Sequence, residues 1–162
     1  IIAGLPNEDN EMFKYTLEEI GKMAPDSLTV HTMAIKRASI LHENIYSYNF
    51  TSDKTVEVMI EDARQSAKNM DMRPYYLYRQ KNILANLENT GYAKVGYECL
   101  YNIHTMEEVQ SIIAMGAGSI SKFVSSDGKK IERTYNVKEV AQYIDRIDEM
   151  IERKKAVYES MY

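Results

Sequence analysis

The chain has 162 residues, 44% of them apolar, enough to bury one hydrophobic core and too many for a disordered segment. Its formal net charge of −4, with acidic and basic residues well mixed, offers no basic face for nucleic acid and no cationic patch for a membrane surface. No apolar run approaches the roughly 20 residues needed to cross a bilayer, and the apolar, strand-like opening Ile1-Ile2-Ala3, with no initiator Met, is expected to continue from a longer chain.

In chain order, residues 1–3 read as a short buried strand, and Gly4-Leu5-Pro6-Asn7 turns the chain. A helix is predicted over residues 10–23, because Phe13, Leu17, Ile20 and Ala24 recur at helical spacing before Pro25-Asp26 stops it. Residues 27–33 alternate as a strand, with Leu28 and Val30 to one side and Thr29, His31 and Met33 to the other. Strand, helix and strand joined by short connections form a βαβ unit, so the two strands are expected to be neighbours and parallel. A polar connection over 34–52 leads to a second helix over 53–70, capped by Ser52 and striped by Val56, Met59, Ile60, Ala63, Ala67 and Met70. Tyr75-Tyr76-Leu77-Tyr78 is a strand by residue type and completes a second αβ step.

The remainder changes character. Residues 79–97 read as irregular or briefly helical, 98–103 as a strand, and Thr105-Met106-Glu107-Glu108 as the capping box that starts a short helix. Gly116 to Ser121 lead into a strand through Val124. Ser126-Asp127-Gly128 is a hairpin turn, and residues 130–135 are the return strand. Asn136 then caps one long helix to the end, whose stripe Val137, Val140, Ile144, Ile147, Ile151 and Tyr158 is expected to pack into the core.

Two compositional features bear on chemistry. Cys99 is the single cysteine, so no intramolecular disulfide forms, which fits a reducing cytoplasm, and no [4Fe–4S] cluster can be held by this chain's thiols alone. Thirteen tyrosines beside three phenylalanines and no tryptophan supply flat apolar area with hydroxyls, suited to a large flat carboxylated ligand and equally to ordinary strand packing. His42 and His104 are too isolated to be metal ligands, no local signature marks a nucleophilic triad, and the catalytic residues stay unassigned.

Ile1-Ile2-Ala3-Gly4-Leu5-Pro6, with Phe13 and Thr16-Leu17 in the helix that follows, resembles a late strand–helix unit of the radical S-adenosylmethionine barrel. Pro25 to Val30, with the small Ala34 at the strand's end, resembles the next strand of that fold. Met115-Gly116-Ala117-Gly118-Ser119-Ile120-Ser121 resembles the glycine–serine segment after the barrel in oxygen-independent coproporphyrinogen III oxidases. Tyr76 to Asn82, with Glu88-Asn89-Thr90-Gly91-Tyr92, is similar to one branch of that family, the coproporphyrinogen dehydrogenase type of Firmicutes.

The resemblance implies an α/β chain: the C-terminal part of a partial parallel (β/α) barrel over residues 1–80, then a family-specific α+β extension over 81–162 with a hairpin and a long final helix. It implies S-adenosylmethionine and a [4Fe–4S] cluster as cofactors of a longer parent. The parent would be a cytoplasmic oxidoreductase that decarboxylates coproporphyrinogen propionates to vinyl groups. It would take a small tetrapyrrole substrate, use an electron-donor protein, and bind neither nucleic acid nor membrane. By the same resemblance Ile2, Met33, Ala34, Gly116 and Ile120 contact the cofactor, with packing and turn-making as their bland alternatives. Arg79 and Lys81 are candidates to pair with substrate carboxylates, since guanidinium and ammonium groups match them, and a solvated charged loop accounts for them equally well.

The Cys-x-x-x-Cys-x-x-Cys loop of the family is not in this sequence, so the chain is expected to be an inactive fragment, with its first four βα units missing and self-association through the open sheet edge. A radical relative with another substrate or a haem-binding role, and a stand-alone ligand-binding module, remain as alternatives.

Overall fold

The computed structural model describes every residue except 36–38 and 80–82. It divides into two compact units, Ile1–Cys99 and Leu100–Tyr162.

The first unit is built from β1 (Ile2–Ala3), α1 (Asn10–Met23), β2 (Ser27–Thr32), the short α2 (Ile40–Glu43), α3 (Asp53–Asn69), β3 (Arg73–Tyr78) and β4 (Asn89–Ala93). Both long helices begin where a side chain takes an orphan backbone donor. The Asp9 carboxylate accepts from Met12 N, and the Ser52 hydroxyl accepts from Thr55 N. α1 ends on Ala24, whose φ of 49° breaks the helix in the left-handed region. α1 buries Phe13 and Leu17, and α3 buries Val56, Met59, Ala63 and Ala67. The small Ala63 and Ala67 let α3 lie close to the sheet. With Ala3, Leu28, Val30, Met72 and Tyr92 these side chains form one core cluster.

The four strands lie in the order β1-β2-β4-β3. β1 and β2 are parallel, with Ile2 opposite His31 and Ala3 opposite Thr32, as the βαβ reading predicts. β4 is antiparallel to both β2 and β3, so those two strands run in the same direction with β4 between them. The irregular reading of 79–97 is therefore corrected: Asn89–Ala93 is a central strand and all five of its residues are buried. Asn and Gly are poor strand formers by themselves, and here two neighbours impose the strand. The compact unit accordingly runs to Cys99, beyond the expected division at 80/81.

The second unit holds α4 (Leu100–Glu107), β5 (Ile120–Val124), β6 (Ile131–Tyr135), α5 (Val140–Asp145) and α6 (Ile147–Met161). The expected strand over 98–103 is mostly helix, since a short apolar run does not distinguish the two. Thr105 sits in the last turns of α4 rather than starting a helix. The hairpin is as read: β5 and β6 pair antiparallel from Ile120↔Tyr135 to Val124↔Ile131. At its turn the Asp127 carboxylate accepts from Ser125 Oγ at 2.6 Å and Lys129 N at 3.1 Å, which holds its pKa below the ordinary value.

The long final helix is two helices interrupted at Arg146. Glu139, not Asn136, caps the first, accepting from Ala141 N and Gln142 N. The stripe expected to be core is turned outward: Val140, Ile144, Ile147, Ile151 and Tyr158 are all exposed, while Met150 and Met161 are buried.

Candidate functional site

Strand alternation sorts the first unit's sheet into two faces. Ala3, Leu28, Val30 and Tyr92 face α1 and α3 in the core cluster. The registers then put the intervening residues on the opposite face in two rows. Thr29, Gly91 and Tyr76 form one. Continuing the β2–β4 register by one residue gives the other, Ile2, His31, Asn89 and Tyr78. Ile2 and Tyr78 at the ends are 41% and 39% exposed, His31 is half-buried, and Asn89 in the middle is 0% exposed.

Gly91 shapes this face. A Cβ there would lie 2.7 Å from Tyr76 Cδ1 and 3.0 Å from Tyr75 Cε1, so both rings rest directly against the β4 backbone. The register shift between Pro74 and Tyr76 turns both tyrosines toward it, with centroids 6.1 Å apart and planes tilted by 37°. Burial pushes the Tyr76 hydroxyl above its ordinary pKa, and Tyr78 and Tyr75 add to the effect.

The C-terminal end of β2 is held from three directions. Thr32 N donates to Asn89 Oδ1 at 2.9 Å, Met33 N donates to Ala3 O at 2.9 Å, and Leu84 N donates to Met33 O at 2.9 Å. Ala34 then makes an antiparallel bridge with Ile83. Both peptide groups of Met33 are thus engaged. Among the described residues, the N–H and C=O of Ala34 have no hydrogen-bond partner. A donor and an acceptor left without a partner among the described residues, at the C-terminal end of a parallel strand, lie where α/β barrels commonly bind ligands.

Of the residues singled out from the sequence, Ile2, Met33 and Ala34 are thus brought together at the ends of β1 and β2. Arg79 follows β3 and donates to Glu88 Oε1 at 2.6 Å, so its charge is already matched. Lys81 lies outside the described residues. Gly116 and Ile120 belong to the second unit. Gly116 has a φ of +101°, its N–H donates to Tyr143 Oη at 3.1 Å, and its C=O accepts from Ser119 Oγ and Asn136 Nδ2, which together stabilise a turn. Ile120 opens β5 and is exposed.

For the cluster, the donor set does not fit. Cys99 is exposed, and among the described residues no three His, Cys, Asp or Glu side chains group to hold a metal. No helix among them is long and apolar enough to cross a membrane. Asn89 escaped the sequence reading. The one signal for it is the period-two pattern Asn89, Gly91 against Thr90, Tyr92, which a stretch with Asn and Gly obscures.

No family model matches the chain. The oxygen-independent coproporphyrinogen-III oxidase-like protein HemZ of Bacillus subtilis (strain 168) is 44% identical over 162 residues, which is 100% of this chain and 32% of that protein. The solved structure of coproporphyrinogen III oxidase (HemN) from Escherichia coli, described as a radical SAM enzyme, superposes with a TM-score of 0.59 at 17% identity, over 91% of this chain and 33% of that one. That likeness is one of fold. The identity with the Bacillus protein extends over the whole of this chain, and the chain spans about a third of the length of that curated relative.

Proposed function

We propose that the protein of which this chain represents about a third is a radical S-adenosylmethionine oxidoreductase acting on a tetrapyrrole, with oxidative decarboxylation of coproporphyrinogen III propionates to vinyl groups as its reaction. The observation that carries this reading is the 44% identity, over the full chain, to a coproporphyrinogen oxidase-like protein. In this reading the protein is cytoplasmic and draws electrons from a donor protein. The bound S-adenosylmethionine supplies the hydrogen-abstracting group.

This chain contributes the cofactor's walls rather than its cluster. The N–H and C=O of Ala34 meet the adenine edge, Ile2 packs on its apolar surface, and Met33, with both peptide groups engaged, keeps the strand end rigid. Tyr76 and Tyr78 on the same face offer flat apolar area to the pyrrole rings. Arg79 exchanges Glu88 for a substrate carboxylate. Gly116 and Ile120 enter by resemblance alone, and Lys81 by the match of an ammonium group to a substrate carboxylate.

The test is an anaerobic assay of the full-length protein with reductant, S-adenosylmethionine and coproporphyrinogen III, read by mass spectrometry. Loss of two carboxyl groups from the substrate with formation of 5′-deoxyadenosine is the expected result. 5′-Deoxyadenosine without substrate decarboxylation points to a different substrate. No binding of S-adenosylmethionine at all ends the reading.

A further inference from the structure

The central residue of the open sheet face has a role that neither composition nor pattern suggests. Asn89 is 0% exposed, yet only half of its carboxamide is used. Oδ1 accepts from Thr32 N at 2.9 Å, whereas Nδ2 is buried without a hydrogen-bond partner among the described residues. Rotating the amide would turn an N–H₂ toward the Thr32 N–H, two donors facing each other, so the oxygen must be the atom that meets Thr32. The orphaned Nδ2 is the consequence, and a buried donor without a partner is destabilising. An apolar side chain would remove that cost but would leave Thr32 N unpaired. Local rules broken in this way cluster where a segment must be held for function.

What Asn89 holds is specific. The regular β2–β4 ladder ends at Val30 opposite Thr90. Two residues further, Thr32 would lie opposite Glu88, whose carbonyl instead accepts from Thr32 Oγ1 at 3.4 Å. The Asn89 side chain spans this gap and takes the bond that a backbone carbonyl would otherwise accept. Beyond it, Met33 is tied to Ala3 and Leu84, and both peptide groups of Ala34 are left without a partner among the described residues. We propose that Asn89 is a positioning residue for the cofactor-facing end of β2: through Thr32 it fixes the direction in which the Ala34 peptide groups point. This inference rests on the reading that Ala34 meets the cofactor.

The experiment uses the full-length protein and two variants. Asn89→Asp keeps an oxygen for Thr32 N and removes the orphaned donor, and Asn89→Leu removes the acceptor at similar volume. Affinity for S-adenosylmethionine is measured by equilibrium dialysis, and backbone exchange at Thr32 by hydrogen–deuterium exchange.

Asn89→Leu should lose Thr32 protection and bind S-adenosylmethionine about tenfold more weakly, while Asn89→Asp retains both. Should Asn89→Leu fail to fold, Asn89→Ser, too short to reach Thr32, takes its place with the same expected losses. Lost protection at Thr32 with wild-type affinity overturns the positioning role and leaves the cofactor reading standing. An Asn89→Asp variant that protects Thr32 but binds weakly also overturns it, because the amide donor would then be the group that matters. If the wild-type protein binds no S-adenosylmethionine, the cofactor reading and this inference fall together, even if exchange at Thr32 still follows Asn89.

Discussion

The two units are held together by different means. In the first, eleven buried apolar or aromatic residues, from Ala3 to Tyr92, form a continuous cluster between one sheet face and two amphipathic helices. In the second, the buried apolar set is small: Phe123, Val124, Met150 and Met161. Around it lie buried polar groups with partners. Asn136 donates from Nδ2 to Gly116 O and Ser119 Oγ, and its Oδ1 accepts from Lys154 Nζ at 2.7 Å. Lys122, only 8% exposed, donates to Thr105 O. Ser121 and Ser111 each bond the backbone of a neighbouring segment. Apolar burial is non-directional and tolerates small shifts, whereas such bonds fix one geometry and fail when one partner is removed. The first unit should therefore be sensitive to lost volume, and the second to lost hydrogen bonds.

The largest expected difference is between two phenylalanines of equal burial, both 1% exposed. Phe13→Ala should cost about 3–5 kcal/mol by chemical denaturation, because the closed core of the first unit cannot admit water to fill the space. Phe123→Ala should cost less, about 2–3 kcal/mol. Phe123 already borders a groove of about 310 Å³ with Ile113 and Tyr158, so the space it leaves opens to solvent. Equal losses, or the reverse order, would erase the contrast.

Asn136→Ala tests the other half. It takes one hydrogen bond from Gly116 O, which keeps Ser119 Oγ, one from the Ser119 hydroxyl, and one from Lys154 Nζ, which keeps Met150 O, and should cost about 1–3 kcal/mol although it removes almost no apolar area. A loss below about 0.5 kcal/mol, the range of an ordinary surface change, would mean that the polar network holds nothing.

A smaller effect comes with alkali. Burial raises the hydroxyl pKa of both Tyr76 and Tyr92 in the first unit, with the Thr90 hydrogen bond partly offsetting it for Tyr92. The folded chain thus keeps these protons to higher pH than the unfolded chain does. Their contribution to stability is fully present below the ordinary value of about 10 and is lost as pH rises through the raised folded-state values. Urea midpoints measured across that range should fall, and should fall less in a Tyr76→Phe, Tyr92→Phe variant. An unchanged slope in that variant would assign the alkaline loss elsewhere.

The smallest effect is expected on the outward stripe of the second unit. Ile144→Ser and Ile151→Gln should each change stability by no more than about 0.5 kcal/mol, since both side chains are exposed. A loss above about 2 kcal/mol would show the stripe to be buried in solution and would return it to the core.

That stripe also shows where sequence reading stops. Val140, Ile144, Ile147, Ile151 and Tyr158 have the spacing of a buried face, and the helix does form; which face it buries depends on what lies beside it, and here Met150 and Met161 point inward. β4 is the opposite case. Asn89-Thr90-Gly91-Tyr92-Ala93 carries little strand propensity, and pairing with β2 and β3 makes it the central strand.

By itself the sequence determined α1, α3, the parallel β1–β2 pair and the β5–β6 hairpin, because capping residues, period and turn chemistry act between residues close along the chain. The resemblance also marked Ile2, Met33 and Ala34. Only the tertiary structure decided that Met33 is fully engaged while Ala34 has no partner among the described residues, that Arg79 is paired with Glu88, and that Asn89 reaches Thr32 across 57 positions of sequence. These outcomes depend on hydrogen bonds between segments far apart in the chain, for which no local pattern selects, and on the register that brings those segments together.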